Sequence, residues 1–247
     1  VVILPCFFLI LMLVQMIGSE VNDEKTTRSM EIIISNVSPE THFLSKVLAS
    51  TSFVVIQGLL LLGYAIIAVL SRFLFGGGNI INDMGTGLAS QMTSILTTIK
   101  ETGILTTLLQ GLPWILLLFL VSFILYGIVA GVLASMTTSM EDFQQLQTPI
   151  MLIIMVGYYL AIMASQFEGA TFIKIMSYVP MLSFMLSPSL FLLGQISIYG
   201  LAMATLINII FTFIIFKYGL RIYKVGILNY SSTKLWKKMF RSLKNKE

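Results

Sequence analysis

Long stretches without a charged side chain dominate this sequence and limit what it can fold into. The first two cover residues 1–17 and 47–70. A helix needs about 20 apolar residues to cross the hydrocarbon core of a bilayer, and both stretches are near that length. Five stretches predict five spans, at 1–17, 47–70, 112–134, about 150–166, and 197–216. We therefore expect an all-α polytopic membrane protein with a single membrane domain over residues 1–247.

Several function classes are disfavoured by what the sequence lacks. Its one cysteine, Cys6, and its one histidine, His42, cannot by themselves build a disulfide or a His-rich metal site. No G-x-x-x-x-G-K-S/T loop for ATP is present. No ionisable residue lies within a predicted span, where ion-coupled transporters usually place one. We expect no catalytic, cofactor-binding or metal-binding residues and no nucleic-acid partner.

The polar segment 18–46 between the first two spans has a pattern of its own. Apolar residues recur at the spacing of one helix face, at Met30, Ile33, Ile34 and Val37. Acidic residues precede them and would complement the N-terminal dipole of a helix, at Glu20, Asp23 and Glu24. This pattern predicts a short amphipathic helix that ends at Asn36.

A second helix is predicted to start directly after the first. Ser38 is suited to the N-cap and Pro39 to the first helical position. The helix would then continue through Lys46 into the next span. The pattern alone fits either a solvated loop with a surface helix or a docking surface for another protein.

Basic residues predict the orientation of the chain. The segment 217–247 has nine Lys or Arg and one Glu, a net charge of +8, and cytoplasmic loops carry an excess of Lys and Arg. The C-terminus is therefore expected inside, which also places 18–46 and 135–149 inside and 71–112 outside. The role of the 71–112 connector stays open between an interfacial helix and an ordered loop.

The stretch 167–197 is apolar but interrupted. Pro180 and Pro188 are the ends of a nine-residue stretch. We expect these two prolines to bound a re-entrant helical hairpin on the outer side. Irregular backbone at membrane depth must be covered by protein or line a cavity. The alternative is one poorly packed, proline-kinked span.

Four sequence blocks carry a family resemblance. They are Glu24-Lys25, Thr27, Met30–Ser35, Val37-Ser38-Pro39 and Lys46; Glu141-Asp142-Phe143-Gln144-Gln145; SYVPMLSFMLSP at 177–188; and Arg221-Ile222-Tyr223 with Gly226-Ile227-Leu228. Together they resemble type-2 ABC exporter permeases, especially the NatB-like sodium-efflux permeases. Ser45-Lys46 stands where Gly-Lys is commoner in that family.

The resemblance implies a membrane-spanning permease in the cell membrane whose segment 18–46 is a cytoplasmic coupling helix. It would dock on a separate ABC ATPase subunit, which binds the ATP, and two permeases would pair as a homo- or heterodimer. The residues expected to dock are Glu24, Lys25, Arg28, Met30, Glu31, Ile33 and Ile34. The family also has an earlier span and often an extracellular domain, so we expect an N-terminal part before Val1.

Substrate and pathway are less constrained. Relatives of this type export sodium, peptides, lipids or drugs. Gln57, Tyr126 and Asn208 are candidates to line a pathway, or alternatively to make hydrogen bonds between helices. A secondary transporter and a non-transporting accessory or immunity protein are the alternative functions.

Overall fold

The computed structural model describes residues 3–74, 104–167 and 169–227. All regular elements in these ranges are helices. They are α1 (Ile3–Thr26), α2 (Ser29–Asn36), α3 (Pro39–Leu74), α4 (Ile104–Met136), α5 (Met140–Met163), α6 (Thr171–Met176), α7 (Ser183–Leu192) and α8 (Ile198–Ile227). Five helices, α1, α3, α4, α5 and α8, are long and apolar enough to cross a membrane. The expected all-α polytopic class is confirmed.

The long helices extend beyond the predicted spans. α1 continues to Thr26, so the acidic residues from Glu20 to Glu24 end this helix instead of starting a new one, and that prediction was wrong. The fourth span was predicted to start at about residue 150, yet α5 begins at Met140. The reason is the N-cap, where the Asp142 backbone N–H donates to Ser139 Oγ over 3.1 Å.

Helix α4 is the centre of the bundle and the most buried of the long helices. It packs most extensively against α8 and also contacts α1, α3, α5 and α7. A pair of glycines on α4 lets both α1 and α3 pack closely against this helix. A Cβ at Gly131 would lie 2.9 Å from the Phe43 ring of α3, and one at Gly127 would lie 3.2 Å from Ile17 of α1. Gly127 and Gly131, which have the G-x-x-x-G spacing, therefore lie on a close-packing face of α4.

The interrupted stretch forms two short helices, α6 and α7, joined by a turn in which Met181 has φ 73°. It is not one proline-kinked span. Pro180 lies in the turn, but Pro188 lies inside α7 and does not bound the element, so that part of the prediction was wrong. The Ser187 hydroxyl donates to the Ser177 carbonyl over 2.6 Å, which fastens this buried helix to the end of α6.

Some expectations lie outside the described residues. They concern the connector over 75–103, for which an interfacial helix and an ordered loop both stay open, and the tail from residue 228 onward.

Candidate functional site

The segment 18–46 folds as a helical hairpin formed by the end of α1, the short α2 and the start of α3. Arg28 adopts the left-handed conformation, with φ 54°, and separates α1 from α2. The Thr27 hydroxyl donates to the Asp23 carbonyl over 2.7 Å at this break. The predicted start of α3 is confirmed, since the Thr41 backbone N–H donates to Ser38 Oγ over 3.2 Å and Pro39 is the first helical residue.

Helix α2 has an inner and an outer side. Met30 is fully buried in the main core, and Ile34 packs against the same core. Ile32, in contrast, is 70% exposed, and Val37 just after the helix is also exposed. A single buried residue thus anchors α2, while Ile32 on its outer side is exposed.

A charged network joins the inner side of the hairpin. Lys46 Nζ of α3 lies 2.7 Å from Glu24 Oε1 and 3.1 Å from Glu20 Oε2 of α1. His42 Nε2 lies 3.1 Å from Glu24 Oε2. The other nitrogen of the ring, Nδ1, is 2.9 Å from the hydroxyl of the buried Tyr223 on α8. Glu24 and His42 therefore link α1, α3 and α8.

Lys25 extends the connection to α4. Its ammonium group donates to the Ser135 carbonyl over 2.6 Å and to the Gly226 carbonyl over 3.0 Å, and the residue is only 1% exposed. The Ser135 carbonyl lies in the last turn of α4, where backbone acceptors have no intrahelical partner and the helix dipole favours a cation. Lys25 thus caps α4 and joins it to α8 through the Gly226 carbonyl.

The close approach of α4 and α8 requires a glycine at this point. A Cβ at Gly226 would lie 2.8 Å from the Ser135 carbonyl oxygen and 2.5 Å from its hydroxyl. The two carbonyls that Lys25 binds are brought together by this contact. The hairpin is consequently fastened to both helices at one end of the bundle.

The structure sorts the residues expected to dock by their exposure. Arg28 and Glu31 are exposed, and Glu24, Ile33 and Ile34 are half-buried. Lys25 and Met30 are buried within this chain, where they hold the hairpin in place.

Sequence reasoning missed three residues of this region. The signal for Ile32 was present, because three consecutive isoleucines cannot all face one side of a helix. His42 and Lys46 lie four residues apart, and so do Glu20 and Glu24. Each pair therefore shares one helix face, and a short connection allows the two faces to meet as ion pairs. Neither pattern indicates Tyr223, which comes from a distant part of the chain.

The candidate pathway residues lie elsewhere. The Tyr126 hydroxyl donates to the Met181 carbonyl over 2.7 Å, and Asn208 Nδ2 donates to Ser122 Oγ over 2.6 Å. Both side chains are fully buried, Tyr126 against the turn between α6 and α7 and Asn208 between α8 and α4, whereas Gln57 is half-buried on α3. Within the described ranges no three His, Cys, Asp or Glu residues are grouped to hold a metal ion.

Comparison with known proteins identifies the family of this chain. The family model described as ABC-2 family transporter protein matches residues 1–218. The chain is also 26% identical, over 242 residues, to the Bacillus subtilis (strain 168) protein named "Uncharacterized protein YhaP". That alignment covers 96% of this chain and 53% of the relative, so the chain spans about half the length of the curated relative. No solved structure matches the chain. On the extent of the family match, the chain belongs to the ABC-2 family of transporter proteins.

Proposed function

We propose that this chain forms the membrane-spanning permease of an ATP-driven exporter in the cell membrane. A partner ABC ATPase would bind and hydrolyse ATP, and a pair of permeases would move the substrate outward by alternating access. Membership of the ABC-2 family and the five apolar helices support this proposal. The sequence also has no ATP-binding loop of its own.

One observation carries the proposal. The hairpin over 18–46 exposes an apolar residue on its outer side, and on its inner side it contacts the long helices. Ile32 is 70% exposed beside the charged Arg28 and Glu31. Exposed apolar residues with a charged rim are typical of protein interfaces. On the inner side, Lys25 and Glu24 contact α4, α3 and α8. A partner that displaces α2 would therefore act on these helices.

The coupling has a simple physical basis. ATP on the partner can shift the permease between two arrangements only if the docked surfaces differ in affinity between them. Met30 is buried and Lys25 binds two helix ends, so the hairpin would move with the ends of α4 and α8. That motion is what an alternating-access cycle needs.

Basic residues support a cytoplasmic position for this end of the bundle. Lys46, Lys217, Arg221 and Lys224 all lie at or near it, and cytoplasmic segments carry the excess of Lys and Arg. The hairpin would then face the compartment that holds ATP.

The experiment compares Ile32→Asp with Ser35→Asp. Both residues are exposed on α2, so both variants should fold, but only the first removes the apolar contact. We expect Ile32→Asp to reduce co-purification of the proposed ABC ATPase partner by about tenfold or more. Ser35→Asp should stay near wild type. Normal co-purification and export by Ile32→Asp would return the hairpin to a solvated loop.

The substrate follows only from resemblance. The NatB-like sequence blocks make sodium the first substrate to assay. Peptides, lipids and drugs are the alternatives, and ATP-dependent export from vesicles would separate them.

A further inference from the structure

A groove of about 610 Å³ lies between the first turn of α3 and the C-terminal half of α8. Its size falls within the range of roughly 300–1,000 Å³ that is common for ligand sites. Phe213, Phe216 and Leu220 of α8 form its apolar part. Phe213 is 72% exposed, so the apolar part is open to the surroundings of the protein.

Cations cluster at the other part of the groove. Lys217, Arg221 and Lys224 follow one another at i, i+4 and i+7 on α8 and share one helix face. Glu40 is the one carboxylate among the lining residues, and its Oε1 lies 2.6 Å from Lys224 Nζ. The lining residues therefore carry a net charge of +2. In the part of the chain that the structure describes, Lys217 and Arg221 form no ion pair.

The position of the cations along α8 sets their depth in a membrane. No charged residue occurs from Ile198 to Phe216, which is 19 residues. At 1.5 Å per residue this stretch is about 28 Å long, close to the thickness of roughly 30 Å of the hydrocarbon core. Lys217 would then lie at the boundary between acyl chains and headgroups. Phe213 would lie among the acyl chains and Arg221 among the headgroups.

We propose that this groove binds an anionic phospholipid of the inner leaflet. The phosphate would lie between Lys217 and Arg221, because a guanidinium donates to phosphate oxygens in a bidentate manner. An acyl chain would cover Phe213 and Phe216. Basic pockets between membrane helices on the cytoplasmic side suit anionic headgroups in this way. A free phosphate ion matches the cations but leaves the exposed apolar part uncovered.

The lipid would also bridge two elements. The Glu40–Lys224 pair joins the first turn of α3 to α8 at the rim of the groove. A headgroup beside this pair would add a second link between the same helices, next to the hairpin over 18–46. This inference needs only that α8 spans the membrane with its C-terminal end on the cytoplasmic side, and it does not depend on the export reaction.

Native mass spectrometry of the purified chain with added phosphatidylglycerol or phosphatidylcholine tests the proposal. The variant Lys217→Gln/Arg221→Gln neutralises both of these cations, and Lys217→Arg/Arg221→Lys keeps the charge as a matched control. All these side chains are exposed, so the fold should be retained. We expect the neutral variant to bind phosphatidylglycerol roughly 30-fold more weakly, with the control near wild type.

Three further measurements separate the sources of the signal. Phosphatidylcholine should bind weakly to every variant, Phe213→Ala should weaken phosphatidylglycerol binding, and glycerol phosphate should not displace the lipid. Equal phosphatidylglycerol binding by wild type and the neutral variant would overturn the proposal. Equal binding of both lipids would overturn it as well, and displacement by glycerol phosphate would assign the groove to a soluble anion instead.

Discussion

At the scale of single residues, the ammonium group of Lys25 has an unusual position between the last turns of two membrane-spanning helices. It donates to the Ser135 and Gly226 carbonyls and is almost fully buried. Buried cations are costly unless their surroundings supply acceptors. Here the acceptors are the Ser135 carbonyl, which α4 leaves unpaired at its C-terminal end, and the Gly226 carbonyl of α8. One side chain thus joins two helices and fixes the hairpin to both.

Replacing Lys25 with methionine tests this role. The substitution keeps the length of the side chain but removes the donor, so two buried carbonyls lose this partner. Leaving a buried acceptor unsatisfied costs about 1–3 kcal/mol, and we expect a clearly lower thermal midpoint in detergent. Lys174→Met, at a half-buried lysine on α6, is the control and should change the midpoint little. A Lys25→Met midpoint equal to that of wild type would contradict the capping role.

At the scale of helices, the contact between α4 and α8 depends on Gly226. A Cβ there would meet the Ser135 carbonyl oxygen at 2.8 Å, and this neighbour is backbone that cannot rotate away. We expect Gly226→Ala to push the two helix ends apart and lower the thermal midpoint. The free-energy cost should be on the order of 1–3 kcal/mol, as for overpacking in a core.

Gly63 of α3 provides the matched control. In the described part of the chain, no heavy atom outside the backbone of α3 itself lies within 4 Å of a Cβ built there. Alanine is also intrinsically better than glycine within a helix by roughly 1 kcal/mol. Gly63→Ala should therefore leave the midpoint unchanged or raise it. If both variants lose stability equally, the close approach at Gly226 is not what stabilises the contact.

Sequence patterns predicted the elements better than the connections between them. Uncharged runs of span length identified the five long helices, and the Ser38-Pro39 pair identified the start of α3. The acidic residues near Glu24 led to the wrong prediction that a new helix starts there. A helix that continues out of a span can carry the same charges at its C-terminal end. Their partners, Lys46 and His42, lie on the next helix, and helix-terminus rules do not consider such cross-helix pairs.

The contacts of Lys25 and Tyr223 were beyond sequence reasoning for a different reason. Lys25 binds carbonyls 110 and 201 residues away, and a backbone acceptor leaves no mark on residue type. Tyr223 contacts His42 across 181 residues. The resemblance to exporter permeases covered both regions, but it did not indicate that they touch.

At the scale of the whole molecule, the proposed topology places the hairpin and the C-terminal end of α8 on the cytoplasmic side. Cysteines introduced at Ser35 and at Tyr199 test it, in a Cys6→Ser background. Ser35 is exposed on α2, and Tyr199 is 83% exposed at the opposite end of α8. In intact cells, a membrane-impermeant thiol reagent should label position 199 and not position 35. The reverse pattern would invert the topology and place the hairpin outside.

The central claim is that ATP on a partner moves the spans through the hairpin. The most direct measurement is the distance between spin labels at Ser35 and Tyr199 in the complex with the ABC ATPase, reconstituted in a bilayer. We predict that ATP shifts this distance distribution in the wild-type complex and that Ile32→Asp abolishes the shift. An unchanged distribution in a complex that hydrolyses ATP and exports its substrate would contradict the account.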